Sequence, residues 1–272
     1  MKSLILLFLS LLFSFSLHAK DTLIFGAITT VDSAIIKKKF TPLLDYLEQK
    51  TGKRIVFQTG YNYEDTINKF SDGTFDLGYI GPAPYLFANE KRAAPLKIIA
   101  GLESNHTPYF HSVIITKKSN PISDITDLKG KKIAFGSPKS TLSYYVPMQM
   151  LMKKGVDKEL DRFDFLGKHD KVAQYVIMGK YEAGAVKEAV AKKYAKFLKI
   201  IATSESIHDF SIMASDTISE QLFQTLQAAL YELKDPDILK GIKPSATGFI
   251  PRKASDYDNL KHIMKEVDAR SK

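Results

Sequence analysis

Short apolar runs, Leu23 to Ala27, Arg54 to Gln58, Leu77 to Ile80 and Lys97 to Leu102, alternate along the chain with segments whose apolar residues recur at helical spacing. Thr41-Pro42 offers an N-cap followed by a proline at the first helical position. Leu43, Leu44 and Leu47 then share one face, and Gly52 stops the segment. Helices are also expected around Glu64 to Phe70 and after Pro82. This alternation predicts a parallel sheet with helices between its strands. A second set begins at Ser112 to Thr116. It continues with a strand Lys132 to Phe135, a helix Tyr144 to Lys154 closed by Gly155, and a helix near Lys171 to Met178. A strand Ala183 to Val186, a helix ending at Phe197 and a strand Lys199 to Ala202 complete it. Two α/β lobes are implied. The remainder predicts a strand near Ser211 to Ala214, a helix capped by Thr217 and Glu220, and a last helix after Ser255. The apolar stripes of these helices, Leu222, Leu226, Ala229, Leu230 and Leu233, then Leu260, Ile263, Met264 and Val267, read as core.

The N-terminus breaks the pattern. Met1-Lys2-Ser3 carries one positive charge, Leu4 to Leu17 is almost wholly apolar, and Leu17-His18-Ala19 precedes the polar Lys20-Asp21. That order is a secretory signal peptide, residues 1–19, and cleavage is expected after Ala19. The run is short of the roughly 20 residues that cross a bilayer as a helix. No later stretch is long and apolar enough to do so, which predicts a soluble, exported protein. Export together with a complete lack of cysteine points to the periplasm, and it removes disulfides, thiolate metal sites and cysteine nucleophiles from consideration.

At 44% hydrophobic and 25% charged, the 272 residues exclude a disordered chain and a multi-span membrane protein. The net charge of +9 raises nucleic acid or an anionic surface as partners. Yet Lys37-Lys38-Lys39, Lys131-Lys132 and Lys192-Lys193 are scattered and lack interleaved aromatics, so they read as solvated helix faces. Dinucleotide, P-loop, zinc-protease and serine-hydrolase motifs are all missing. His106, His111, His169, His208 and His262 show no metal-ligand spacing. A binding protein without cofactor or metal, and not an enzyme, is the expectation.

The chemistry concentrates in Phe135-Gly136-Ser137-Pro138-Lys139-Ser140-Thr141-Leu142-Ser143, where a strand gives way to a hydroxyl-rich turn and then a helix. Pro147 cannot lie deep in that helix, so its first turn falls near Ser143 or Tyr144. The free N–H groups there, beside the hydroxyls of Ser140, Thr141 and Ser143, make an anion cradle of neutral donors. Plain N-capping accounts for the same residues equally well.

Asp76-Leu77-Gly78-Tyr79-Ile80-Gly81-Pro82-Ala83-Pro84-Tyr85 resembles a segment of the periplasmic phosphonate/phosphite/phosphate-binding proteins of ABC transporters. Tyr109 to Ile115, Asp127 to Lys131, Phe135 to Thr141 and Gly167 to Val172 match further segments of that family in order. The resemblance implies an α/β, type II periplasmic binding protein fold, its two lobes joined by two crossover strands near Tyr109 to Val113 and Ser204 to Ser211. Residues 20–110 with 210–272 would form lobe 1 and residues 111–209 lobe 2. It implies that a small phosphorus oxyanion is held in the interlobe cleft by Ser140, Thr141, His169 and Tyr63. Tyr63 reads as well as a rim aromatic, and His169 as a surface or helix-capping imidazole whose protonation would follow the charge of the ligand.

Two departures stand out. Leu142 takes the third place of a Ser-Thr-Ser-Gly turn, with Ser143 in the fourth. Ala189 and Phe210 fall where relatives that bind aminoalkyl phosphonates present acidic groups, while Glu188 and Asp209 lie one residue away. Asp209 can accept a hydrogen bond from a protonated ligand oxygen, or be a solvated loop carboxylate. The closed form would dock on an ABC permease for transport, or on the periplasmic domain of a sensor kinase to report an oxyanion such as arsenite or phosphate.

Overall fold

A computed structural model describes residues 21–28 and 33–270; the expected signal peptide and its cleavage site lie outside them. In chain order the strands are β1 (Thr22–Ala27), β2 (Arg54–Gln58), β3 (Leu77–Ile80), β4 (Lys97–Ser104), β5 (Tyr109–Phe110), β6 (Ser112–Lys117) and β7 (Lys132–Phe135). There follow β8 (Arg162–Phe165), β9 (Ala183–Lys187), β10 (Leu198–Thr203), β11 (Ile207–His208), β12 (Ser211–Ala214) and β13 (Ala246–Ile250). The helices are α1 (Ser33–Thr51), α2 (Tyr63–Ser71), α3 (Pro82–Glu90), α4 (Val146–Lys153), α5 (His169–Ile177), α6 (Glu188–Lys193), α7 (Glu220–Glu232), α8 (Pro236–Ile242) and α9 (Asp258–Arg270).

Two sheets organise these elements, one in the order β13-β4-β12-β3-β1-β2 and one in the order β10-β6-β9-β7-β8. Neither is purely parallel, which corrects the expectation from the strand–helix alternation. β1 runs parallel to β2 and β3, and β7 to β8 and β9. β12 instead enters antiparallel between β3 and β4, and β6 lies antiparallel to β9 and β10. β12 and β6 arrive directly from a crossover, where the chain comes in from the opposite end of the sheet, and β13, which follows α8, also runs antiparallel to β4. Between the sheets β5 pairs antiparallel with β11, Phe110 opposite Ile207 and Tyr109 opposite His208.

Arg252 pins this junction. Its buried guanidinium donates to the carbonyls of Asp209 (3.1 Å) and Pro108 (3.4 Å), one on each crossover, and pairs with Asp256 at 3.4 Å. It fills the space over Gly101, where an added Cβ would stand 2.7 Å from a guanidinium nitrogen.

Several local expectations give way. α1 begins by Ser33 and carries Pro42 in its interior, while Thr41 Oγ1 donates back to Lys37 O at 2.9 Å instead of capping. Pro42 is tolerated because it lies on the exposed side, where the helical carbonyl it leaves unpaired reaches water. The inward side buries Ile36, Phe40, Leu43, Leu44 and Leu47 against the first sheet. Ser219, not Thr217, caps α7 through its side chain. β8, α8 and β13 are additions that the apolar pattern did not signal.

The segment 210–272, which the family resemblance assigns to the first lobe, divides its loyalties. α9 packs on α3, but its side-chain ties run to the second unit. Asp268 accepts from Tyr145 Oη (3.2 Å), Glu266 from Gln149 (2.7 Å), and Arg270 donates to Asp157 (2.7 Å).

Candidate functional site

The segment Asp76 to Tyr85 builds one wall of the cleft. Asp76 is buried and accepts the Ile24 N–H at 2.7 Å, locking β3 to β1. Gly78 is required by close approach, since a Cβ there would lie 2.4 Å from the Gly26 carbonyl. Tyr79 projects to the cavity, its ring 4.7 Å from that of Phe210. Gly81 caps α3, Pro82 starts it without needing a donor, and the next N–H, of Ala83, is free for other duty. That duty is a bond across the cleft: Ala83 N–H donates to Thr141 Oγ1 at 2.9 Å, deep inside the protein.

On the facing side, the turn after β7 opens into a helix that starts earlier than expected, as a π turn over Thr141–Tyr145 leading into α4. Pro147 explains it. Its missing N–H leaves the Ser143 carbonyl without a helical partner, and the Gly136 N–H takes it at 3.3 Å. Ser140 is the N-cap, its Oγ accepting the Ser143 N–H at 3.1 Å. Gly136 O also accepts from Gly167 N at 3.0 Å, which lays the loop before α5 beside this turn. Gly167 has φ +83, a left-handed conformation that suits glycine and swings the chain into α5 with His169 as its first residue.

Between these walls lies a cavity of about 170 Å³. Of the residues predicted for the site, Tyr63, Ser140, Thr141, His169 and Asp209 all line it, the first from one sheet unit and the next three from the other. Tyr63 sits in the first turn of α2, whose N-cap Asn62 accepts from Asp65 N. Burial raises the pKa of the Tyr63 hydroxyl, against a smaller opposing effect of the Ser140 side chain, so it stays a protonated donor. Thr141 accepts from Ala83 while keeping its own proton to give. His169 accepts the Lys187 backbone N–H at Nδ1, 3.0 Å away. Desolvation, and after it the nearby Lys187 charge, push its pKa down to about 3. The ring is therefore neutral with its proton on Nε2, a donor whose state no longer follows pH in the physiological range.

Ser143 is the residue that does not join them. Its fully buried hydroxyl accepts from Gly136 N (2.7 Å) and donates to the Ala185 carbonyl, holding the turn to β9. Leu142 packs into the core and shows the cavity only hydrocarbon, so no third hydroxyl replaces it.

Asp209 is in the cavity wall but not available. At 1% exposure its carboxylate forms a salt bridge with Lys243, accepts from Ser104 Oγ at 3.2 Å and takes the Phe210 N–H at 2.8 Å. Glu188 pairs with Lys192 on α6 at 2.7 Å. The sequence reading missed Lys39, Lys187 and Lys243, which line the cavity and make it cationic where neutral donors alone were expected. It also missed an apolar wall of Phe40, Phe110, Phe210 and Ile242. Only the last residue of the run Lys37-Lys38-Lys39 faces the cleft, and nothing in its spacing marks it.

The arrangement can hold a compact oxyanion through hydroxyl, imidazole and first-turn N–H donors, each bond to a charged oxygen contributing roughly 1.5–3 kcal/mol. Comparison with known proteins agrees in kind. The family described as "ABC transporter, phosphonate, periplasmic substrate-binding protein" matches residues 25–257. The phosphate-import protein PhnD of Mycolicibacterium smegmatis is 24% identical over 272 residues, spanning 89% of this chain and 85% of that protein. PhnD1 of Prochlorococcus marinus, solved in complex with methylphosphonate, superposes with TM-score 0.81 at 23% identity, covering 92% of this chain and 99% of the other. A binding-protein component of a phosphonate ABC transporter from Pseudomonas aeruginosa gives TM-score 0.81 at 18% identity, with 93% and 90% covered.

Proposed function

The chain belongs to the family of periplasmic phosphonate-binding proteins of ABC transporters, with their type II binding fold, and on that footing we propose how it works. It captures a small phosphorus oxyanion, a phosphonate, phosphite or phosphate, between its lobes and hands it in the closed form to a membrane permease. Residues 1–19 direct it to the periplasm and are removed near Ala19, and the lobes exchange at about residues 110 and 210.

The observation that carries this reading is the convergence of Tyr63 with Ser140, Thr141 and His169 on one cavity from opposite sides. A ligand that bonds both walls stabilises closure by its differential affinity for the closed form. An aminoalkyl phosphonate fits poorly. The one carboxylate in the wall among the described residues is occupied by Lys243, and Phe210 offers an amine only a ring already stacked on Tyr79. Titration calorimetry with phosphite, methylphosphonate, phosphate, 2-aminoethylphosphonate and sulfate tests this. Micromolar or tighter binding of at least one of the first three is expected, with 2-aminoethylphosphonate and sulfate weaker. No heat from any phosphorus compound would remove the proposal.

A further inference from the structure

The cavity has a second polar wall that the hydroxyl cradle does not use. Lys187 stands at the end of β9, Lys243 just past α8, and Lys39 on α1. Among the described residues three ammonium groups thus face one carboxylate, Asp209, whose oxygens are taken by Lys243, Ser104 and the Phe210 N–H. Among the described residues neither Lys39 nor Lys187 has an ion-pair partner in direct contact, and Lys187 feels the carboxylates of Asp170 and Asp209 only through space.

Such a grouping is unfavourable in an empty site. The pKa of Lys187 is held below its ordinary value by desolvation and then by Lys243, with Lys39 adding to the effect against the opposing pull of Asp170 and Asp209. Like charges gathered in a cleft mark a place where an anion is expected. The cradle anion does not account for all of them. Its oxygens have neutral donors in Tyr63, Ser140, Thr141 and His169, while the lysines come from three other elements. The rest of the wall, Phe110, Phe210 and Ile242, is apolar and suits a short hydrocarbon link.

We propose that the preferred ligand is a doubly anionic phosphonate, a phosphonoalkyl carboxylate, whose phosphonate lies in the hydroxyl cradle and whose carboxylate is taken by Lys187 and Lys39. This rests on the cradle holding a phosphorus oxyanion, and it adds what the far end of that molecule must be. The carboxylate supplies the charge that Asp209 cannot, and repulsion from the same lysines rejects an ammonium tail.

Titration calorimetry of the purified protein at low ionic strength compares phosphonoacetate, ethylphosphonate and 2-aminoethylphosphonate. Phosphonoacetate is expected to bind at least tenfold more tightly than ethylphosphonate, and 2-aminoethylphosphonate at least tenfold more weakly. Lys187→Met should cost phosphonoacetate at least fivefold more than it costs ethylphosphonate. Lys187→Glu should bring 2-aminoethylphosphonate above phosphonoacetate, a gain that a misfolded variant cannot mimic. Ethylphosphonate binding as tightly as phosphonoacetate, or Lys187→Met weakening both equally, overturns the carboxylate site while leaving the cradle standing. Failure of all three compounds, with phosphite and phosphate also silent, overturns the cradle and this proposal together.

Discussion

Replacing Thr141 with valine removes one hydroxyl at nearly constant volume, and the structure gives that hydroxyl two tasks. Its oxygen accepts the Ala83 N–H across the cleft at 2.9 Å, and its proton is left for the guest. Ala83 is fully buried, so in the closed form the valine variant strands a donor, at about 1–3 kcal/mol. Opening the cleft returns that N–H to water, so the penalty falls on closure and is felt as lost affinity. The missing bond to a charged oxygen adds about 1.5–3 kcal/mol. Together these predict a weakening of roughly two to four orders of magnitude at about 1.4 kcal/mol per tenfold. Thr141→Ser keeps both bonds and should bind within about threefold of the parent by the same argument. Calorimetry with whichever phosphorus oxyanion binds the parent best measures both variants. Small-angle scattering of the ligand-free proteins should show Thr141→Val as the more extended. A valine variant that holds its ligand within threefold of the parent, with unchanged scattering, would refute the assignment of this hydroxyl to the site and to closure.

Ser143→Ala should behave oppositely, lowering stability by about 1–3 kcal/mol through the lost bonds to Gly136 and Ala185 while leaving affinity within a few-fold. Urea unfolding beside calorimetry separates the two effects, and a large affinity loss at unchanged stability would put the hydroxyl in the cavity after all. For His169, the folded value of about 3 lies below the ordinary 6.5, so the unfolded chain takes up the proton first as pH falls. Its contribution to stability is complete above pH 6.5 and is lost below it, by up to about 1.4 kcal/mol per pH unit, less what water in the cleft screens from a half-exposed ring. His169→Asn should flatten the stability profile between pH 4.5 and 6.5, and parallel urea-midpoint curves for variant and parent would contradict the neutral imidazole. Arg252→Met should destabilise by roughly 3–5 kcal/mol, since it strips a buried charged donor from the carbonyls of both crossovers; a midpoint shift worth under 1 kcal/mol would show that the crossovers do not depend on it.

Half of the site's donors could be read along the chain because they are local events. A hydroxyl pair before a helix, Ser140 and Thr141, is visible within a few residues, whereas Tyr63 and His169 are legible only through the family resemblance. What the chain hides is what only tertiary structure assembles. Lys187 ends a strand, Lys243 follows a short helix and Lys39 belongs to a lysine run that otherwise faces solvent, so their shared cavity has no linear signature. Ser143 was expected beside Ser140 and Thr141, yet the turn that Pro147 widens points its hydroxyl inward. Pro42 misled in the same way: a proline usually opens a helix, but an exposed position in the middle of one serves when water can satisfy the freed carbonyl. The strand order escaped notice because β12 and β6 look like any other apolar run, and their direction is set by the crossovers before them.

The C-terminal helix leaves the first lobe's last strand yet anchors on Tyr145, Gln149 and Asp157. The polypeptide thus spans the two jaws a third time, like a tether laid beside the paired hinge strands. A dye on α9 will travel with the far jaw even though it is attached near the chain's end, and a companion dye on α7 will stay with the near one. Their separation reports the bite angle directly, and Asp268→Ala with Arg270→Ala, which cut two of the ties while the buried Leu260, Ile263, Met264 and Val267 stay in place, should let the jaws swing wider than any cargo requires.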